Sequence, residues 1–258
     1  MSWTRSSRVA GLLAGRKALI TAAAGAGIGF ATARRFWEEG AEVAINDANE
    51  KRLERAAEKF MEFAGAKPAT FLGDVRNEAD MKRMWDGAVD SLGYVDVFVN
   101  NAGLAMERNI VDLTDEDWSM VVDTSLTGTF RCLRLALRHM LPRRSGAIIN
   151  LGSVLAWRAQ AGQAPYAAAK AGVMALTRTA AIEAAEAGVR VNAVVPSLAI
   201  NPYLVKASSQ ETLDALVKVE AFGRPAEPVE VANVIVFLAS DLASYITGES
   251  ISVSSQHP

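Results

Sequence analysis

Lys17-Ala18-Leu19-Ile20-Thr21-Ala22-Ala23-Ala24-Gly25-Ala26-Gly27-Ile28-Gly29 is an apolar run that breaks into a small, glycine-rich turn. Such a run, closed by such a turn, predicts a strand over 17–21, and the residues beyond the turn predict a helix over 28–39. Glycines let the backbone approach a ligand closely, and a helix N-terminus offers unpaired N–H groups and partial positive charge. Gly25, Gly27, Ile28 and Gly29 are therefore candidate contacts for a pyrophosphate, provided that the strand–turn–helix context extends into an alternating α/β chain.

It does extend. Further strands are expected over 42–46, 69–73, 95–100, 147–151, 190–195 and 250–253, and further helices over 50–63, 78–91, 116–141, 163–187 and 229–239. This rhythm predicts a doubly wound, Rossmann-type parallel sheet of about seven strands with helices on both faces. Thr114-Asp115-Glu116-Asp117 has the form of an N-cap with an acidic first turn, and Pro142 with Gly146 is expected to break the long helix that it opens. No linker, repeat or charge block divides the chain, so 1–258 is expected to be one domain, with 1–13 as an N-terminal extension. The stretch 196–220 lacks a clear element and comes after a strand end, where doubly wound sheets bind ligands. It is either a substrate lid or a surface excursion.

Asp47 ends the second predicted strand. A carboxylate there accepts hydrogen bonds from both hydroxyls of an adenosine ribose and repels a 2′-phosphate, so NAD is expected over NADP, the more so because the glycine turn carries no basic residue. The alternative is a residue that serves only the turn and the helix entry.

Half of the 258 residues are hydrophobic and 22% are charged, enough apolar content for one large core. A formal charge of −2 without a basic block gives no footprint for nucleic acid. Cys132 is the only cysteine and His139 and His257 the only histidines, which forbids an intrachain disulfide and leaves no set for structural zinc. The apolar stretch 9–14 is short and interrupted by Gly11, and no run approaches the ~18 apolar residues of a membrane span. A soluble cytoplasmic protein with no metal and no membrane partner is expected.

Tyr166-Ala167-Ala168-Ala169-Lys170 places a phenol and an ammonium one above the other if helical. A cation beside a phenol favours the phenolate, so Lys170 is expected to lower the Tyr166 pKa and make it a usable acid/base. Ser153 lies just past the apolar run 147–151, where its hydroxyl can hold a substrate oxygen.

Taken with Asn100-Asn101-Ala102-Gly103, Asp74-Val75, Val191-Asn192-Ala193 leading to Pro196, and Phe237-Leu238-Ala239-Ser240-Asp241 before Tyr245-Ile246-Thr247-Gly248, these residues resemble the short-chain dehydrogenases/reductases over nearly the whole chain. The resemblance implies an oxidoreductase interconverting a secondary alcohol and a ketone by hydride transfer. It makes Tyr166 the general acid/base, Ser153 the group that orients the reacting oxygen, and Lys170 the residue that binds the nicotinamide ribose. It puts Asp74 and Val75 at the adenine, Asn101 beside the cofactor and Asp47 on the ribose. It also implies a homodimer or homotetramer paired through the 116–141 helix and the one carrying Tyr166.

The chain departs from that family's pattern in several places. Ala22 comes after Thr21 where a glycine is usual, and the turn is one residue longer. Ser125 stands in place of an asparagine that supports a water-mediated proton path to the lysine. Ser197 comes after Pro196 in place of glycine, and 252–258 ends in Ser-Ser-Gln-His-Pro. With 156–160 and Glu220-Ala221-Phe222-Gly223-Arg224, these features resemble an actinobacterial branch associated with steroid-nucleus breakdown, linked to hydroxy/keto interconversion on indane-type acyl-CoA thioesters. Leu155 and Trp157 fit a bulky apolar substrate, or else pack; Arg158 and Arg224 meet a CoA phosphate, or else are surface residues. Cys132 and His139 are expected in packing or a subunit contact. Two alternatives stand beside this reading: a 3-oxoacyl-thioester reductase, which Gln163-Ala164-Pro165-Tyr166 and the residues after it also resemble, and a dinucleotide-binding protein without turnover. The intact Ser153, Tyr166 and Lys170 set argues for the enzyme.

Overall fold

The structure is a computed structural model that describes residues 11–199 and 210–255. Seven strands form one parallel sheet in the order β3-β2-β1-β4-β5-β6-β7. They are β1 (Lys17–Ile20), β2 (Glu42–Asp47), β3 (Ala69–Leu72), β4 (Val97–Asn100), β5 (Gly146–Leu151), β6 (Val189–Pro196) and β7 (Ser250–Val253). Each predicted strand lies within two residues of its predicted bounds, the usual slack at element ends.

Side chains along the strands alternate between two cores, as the period of two requires. Ala18, Ile20, Val97, Val99, Ala147 and Ile149 point to one face, covered by α1 (Ile28–Glu38), α2 (Glu50–Ala64) and α8 (Pro228–Ala239). Leu19, Ala44, Phe98 and Ile148 point to the other, covered by α3 (Glu78–Leu92), α5 (Gly128–Arg143) and α6 (Ala164–Ala185). Both faces are dry, which is why these strands read as near-continuous apolar runs. Cys132 is buried in the second core against Met81, and His139 accepts a hydrogen bond from the Val95 N–H while its ring meets Trp85 edge-on.

Two expectations need correction. The helix predicted over 116–141 is three pieces: α4 (Asp115–Val122), a π-helical turn (Asp123–Thr127) and α5. The Thr114–Asp117 capping box does open it. The break marked by Pro142 and Gly146 falls between those two residues: the proline is absorbed in the last turn, and the chain leaves the helix at Arg144, whose φ is 54°. The segment 196–220 is not free of regular structure, because α7 (Gln210–Lys218) lies within it and buries Leu213. The remainder of that segment at 200–209, and residues 1–10 of the expected N-terminal extension, fall outside the described residues, as does His257. Leu13, the last residue of that extension, is fully buried, and its N–H donates to Glu39 O. Among the described residues no helix is long and apolar enough to cross a membrane.

Candidate active site

Between β1 and β4 the strand order reverses, and the crevice outside the carboxyl ends of the strands at such a point is where doubly wound sheets bind ligands. A cleft of about 730 Å³ lies there. Gly25, Gly27, Ile28 and Gly29 of the glycine turn line it, with Asp47 at the end of β2, Asp74 and Val75 after β3, Asn101 after β4, and Tyr166 from α6. The structure thus brings every predicted cofactor contact except Lys170 to one cavity. Lys170, Ser153 and Ser125 stand behind its wall.

The glycine turn is locked from below. Thr21 Oγ1 accepts from the N–H groups of Asn101 (3.0 Å) and Ala102 (3.2 Å), and Asn101 Nδ2 donates to the carbonyls of Thr21 (3.0 Å) and Ala22 (3.1 Å). A Cβ on Gly29 would lie 2.5 Å from Asn101 Nδ2 and 2.6 Å from Ala22 O, so only glycine lets α1 start this close to β4. The N-cap of α1, Gly27, brings no side-chain acceptor, and the first turn holds no acid. The α1 N-terminus therefore faces the cleft with its N–H groups uncapped, which suits a pyrophosphate. Ala22, where glycine is usual in related sequences, holds φ at 50°.

At the β2 end Asp47 is buried, and its Oδ1 accepts from Asn49 N (2.9 Å), Arg52 Nε (3.1 Å) and Arg52 Nη2 (2.5 Å). It therefore serves the turn and helix entry as well as facing the cleft. Arg52 also lines the cleft. Sequence reasoning misses it because its proximity to Asp47 depends on how α2 begins. At the β3 end Asp74 forms a two-pronged pair with Arg76, closest approach 2.6 Å, which holds its carboxyl below the usual carboxylate range. Val75 is buried against Gly128, the first residue of α5.

At the other end the groups are neutral or deeply buried. Ser153 lies just past β5, caps a short 3-10 turn by accepting from Leu155 N (3.2 Å), and is hydrogen-bonded to Tyr166. Tyr166 sits in the first turn of α6, behind Pro165, which suits a helix start. One turn on, Lys170 is buried; its Nζ donates to Leu151 O at 2.6 Å and lies 5.6 Å from the centre of the Tyr166 ring. The expected lowering of the Tyr166 pKa by this lysine is not what the geometry gives. Burial raises the Tyr166 pKa, the Ser153 hydrogen bond opposes that, and burial pushes Lys170 down to about 8. The ammonium is turned to a carbonyl and is itself disfavoured by desolvation.

Ser125 occupies the π-helical turn, buried, with Oγ accepting from Leu104 N (2.9 Å) and donating to Leu104 O (3.0 Å). A Cβ on Gly103 would stand 3.3 Å from Lys170 Nζ and 3.7 Å from Ser125 Oγ, so the absence of a side chain there leaves both polar groups room at the cleft edge. Met120, Thr124, Ala199 and Pro228 also line the cavity. Their patterns in the sequence are those of ordinary helix and loop residues, and no local signal marks them. Trp157 is exposed rather than packed, and Arg224 is paired in two prongs with Glu230 at 2.8 and 2.7 Å.

A parallel sheet with a glycine-turn cleft at its switch point, and a tyrosine one helical turn from a lysine at the edge, defines an oxidoreductase of the NAD(P)-dependent α/β class. The family model described as Enoyl-(Acyl carrier protein) reductase matches residues 22–255. The chain is 52% identical over 249 residues to the (5R,7aS)-5-hydroxy-7a-methyl-1-oxo-2,3,5,6,7,7a-hexahydro-1H-indene-carboxyl-CoA reductase of Mycobacterium tuberculosis, covering 96% of this chain and 95% of that protein. It is 38% identical over 239 residues to the 3-oxoacyl-[acyl-carrier-protein] reductase FabG of Staphylococcus epidermidis, covering 93% and 97%. A crystal structure of a short chain dehydrogenase from Mycobacterium smegmatis superposes with a TM-score of 0.85 at 45% identity, covering 98% of each chain. The chain belongs to the short-chain dehydrogenases/reductases, oxidoreductases acting on hydroxyl and ketone groups.

Proposed function

We propose that this enzyme interconverts a secondary alcohol and a ketone on a bulky, apolar CoA thioester of the hydroxy-indane type, with NAD as the preferred cofactor. The observation that carries the chemistry is Tyr166, open to the cleft, hydrogen-bonded to Ser153 and stacked one turn from Lys170. When bound, the nicotinamide dinucleotide supplies the hydride donor or acceptor. The chain handles the proton: the Tyr166 hydroxyl gives it to, or takes it from, the substrate oxygen, while Ser153 holds that oxygen in line. Lys170 has the reach and charge to hold the nicotinamide ribose. Ser125 has one lone pair left after its two bonds to Leu104 and is placed to hold a relay water near Lys170.

The substrate class rests on the mycobacterial relative, and the exposed Trp157 beside Ser153 offers apolar surface for a fused ring. Preference for NAD rests on Asp47, tempered by Arg52, whose guanidinium offsets part of the repulsion toward a 2′-phosphate. The 38% identity to a 3-oxoacyl-thioester reductase favours a second reading, a straight-chain thioester substrate. Assay of steroid-derived and straight-chain CoA thioesters with NAD and NADP decides between them. Turnover of straight-chain 3-oxoacyl thioesters alone, or better use of NADP, overturns the first reading. A homodimer or homotetramer in the cytoplasm completes the proposal: Trp118, Met120 and Phe130 leave an apolar face exposed on α4 and α5, and sedimentation at micromolar protein checks for a monomer.

A further inference from the structure

Glu220, just past the end of α7, is buried, yet among the described residues no lysine or arginine pairs with it. Its partners are two hydroxyls and an amide. Oε2 accepts from Ser197 Oγ (3.1 Å) and from Ser255 Oγ (2.8 Å), and Oε1 accepts from Leu198 N (3.4 Å). A buried carboxylate with only neutral donors is costly to keep and adds less stability than an apolar side chain of similar size would. Its value lies in what it joins. Three segments distant in the chain meet on this one group: the exit of β6, the exit of α7 and the C-terminal tail beyond β7.

The joined segments lead into the cleft. Ser197 N donates to Val253 O (3.1 Å), which sets the exit of β6 beside β7, and Ala226 N donates to Leu198 O (2.8 Å). Leu198 is thus fixed at its N–H by Glu220 and at its carbonyl by Ala226. The next residue, Ala199, is a wall residue of the cleft, and so is Pro228, two residues past Ala226. Ser197 and Ser255 also fall in two of the segments where this chain departs from the related pattern, and the fold gathers both on Glu220.

We propose that Glu220 is a positioning residue: it clamps Ser197 and Leu198 to the C-terminal tail, fixes the Ala199 wall of the cleft, and so makes the tail a determinant of substrate binding. The proposal rests on the cleft being the active site. Losing the clamp loosens the Ala199 wall and leaves the glycine turn, Asp47 and the adenosine end untouched, since none of these contacts Glu220.

The test uses the full-length protein with Glu220→Gln and Ser255→Ala, singly and together. Hydrogen exchange on the free protein is read at residues 197–199 and 226, with Ile149 as a core reference. Exchange at the clamped residues should rise in both single variants while Ile149 stays protected. Steady-state kinetics with whichever alcohol or ketone the enzyme turns over should show KM for that substrate raised about tenfold in Glu220→Gln and less in Ser255→Ala, with KM for NAD changed less than about twofold. The double variant should add little to Glu220→Gln, because both hydroxyl and carboxylate act through one node. Unchanged exchange at 197–199 overturns the clamp, whatever the substrate proves to be. Raised exchange with unchanged substrate KM, or equal losses for substrate and NAD, overturns the positioning role. Failure of every CoA thioester as substrate, with the exchange pattern intact, counts against the substrate reading and leaves the clamp standing.

Discussion

The two ends of the cleft are held by different kinds of interaction. At the adenosine end the charged groups pair with near neighbours in sequence: Asp47 with Arg52 five residues on, Asp74 with Arg76 two residues on. At the reaction end the bonds are neutral or bury a single charge, and they join residues far apart: Lys170 to Leu151, nineteen residues away, Ser125 to Leu104, twenty-one away, Asn150 to Thr177, twenty-seven away. Local ion pairs form with their own turn, and the more exposed of the two, Asp74 with Arg76, is worth little. Buried, non-local hydrogen bonds exist only once the whole fold is in place, and in a low dielectric an unmatched partner is expensive. The reaction end should therefore be the brittle one, and substitutions at the two ends should separate accordingly.

The largest expected effect is at Tyr166. Tyr166→Phe removes the transferable proton and keeps the ring, so turnover should fall about 10²–10⁴-fold while NAD still binds. Activity within a few-fold of the unmodified enzyme would take Tyr166 out of the acid/base role and erase the contrast.

Lys170 sharpens the comparison through pH. Its pKa is pushed down to about 8 from an ordinary 10.5. Below pH 8 folded and unfolded chains both carry the proton, and the fold bears the full cost of a buried cation. Between the two values the unfolded chain still binds the proton and the folded one has released it, so stability rises with pH. The cofactor-free protein should gain stability from about pH 8 to about pH 9.5 relative to Lys170→Met, toward a limit on the order of 3 kcal/mol. Urea midpoints for both proteins across that range measure it, and parallel curves would mean the ammonium is solvated.

Asp47→Ala probes the adenosine end. It removes the group that faces a 2′-phosphate and frees Arg52, so the NAD to NADP ratio in kcat/KM should narrow by about tenfold, with kcat for the NAD reaction little changed. A large loss of kcat with NAD would show that this end, too, is brittle.

The smallest effect is expected at Ala22, whose φ of 50° crowds its Cβ against the backbone. Ala22→Gly relieves about 1–2 kcal/mol of strain and gives back part of it as unfolded-chain entropy. A net gain of about 0.5–1 kcal/mol in the urea-unfolding free energy is the expected outcome, and a loss would mean that the strain is relieved locally.

The same contrast explains what could be read from sequence. The glycine turn, Asp47, and the Tyr166 to Lys170 spacing are local patterns, and the structure places each of them where the pattern requires. The π-helical turn at Asp123–Thr127 was not legible, because the apolar pattern from Glu116 to Leu141 is also compatible with one unbroken helix. What forces the extra residue into the turn is tertiary: Ser125 is drawn onto Leu104, and Gly128 is packed under Val75. Ala199 enters the cleft from the loop after β6, and Pro228 from the start of α8 just past Ala226, which bonds to Leu198, and no local signal could announce that. Helix α7 was missed because its nine residues commit little apolar surface to the core.

The pairing of β1 with β4 at the switch point has a kinetic side. Lys17 and Asp96, which meet through the Lys17 N–H and a carboxylate oxygen, are 79 residues apart, whereas β1, β2 and β3 succeed one another through single helices. Closing that loop costs chain entropy before any contact repays it, which places the chain among slow, high-contact-order folders. While the polypeptide is being synthesised, the β4-facing edge of β1 waits unpaired until Asn100 has emerged, and an unpaired edge is a template for pairing with the wrong chain. The strand junction that creates the ligand crevice is thus also the point at which the nascent protein is most exposed to aggregation.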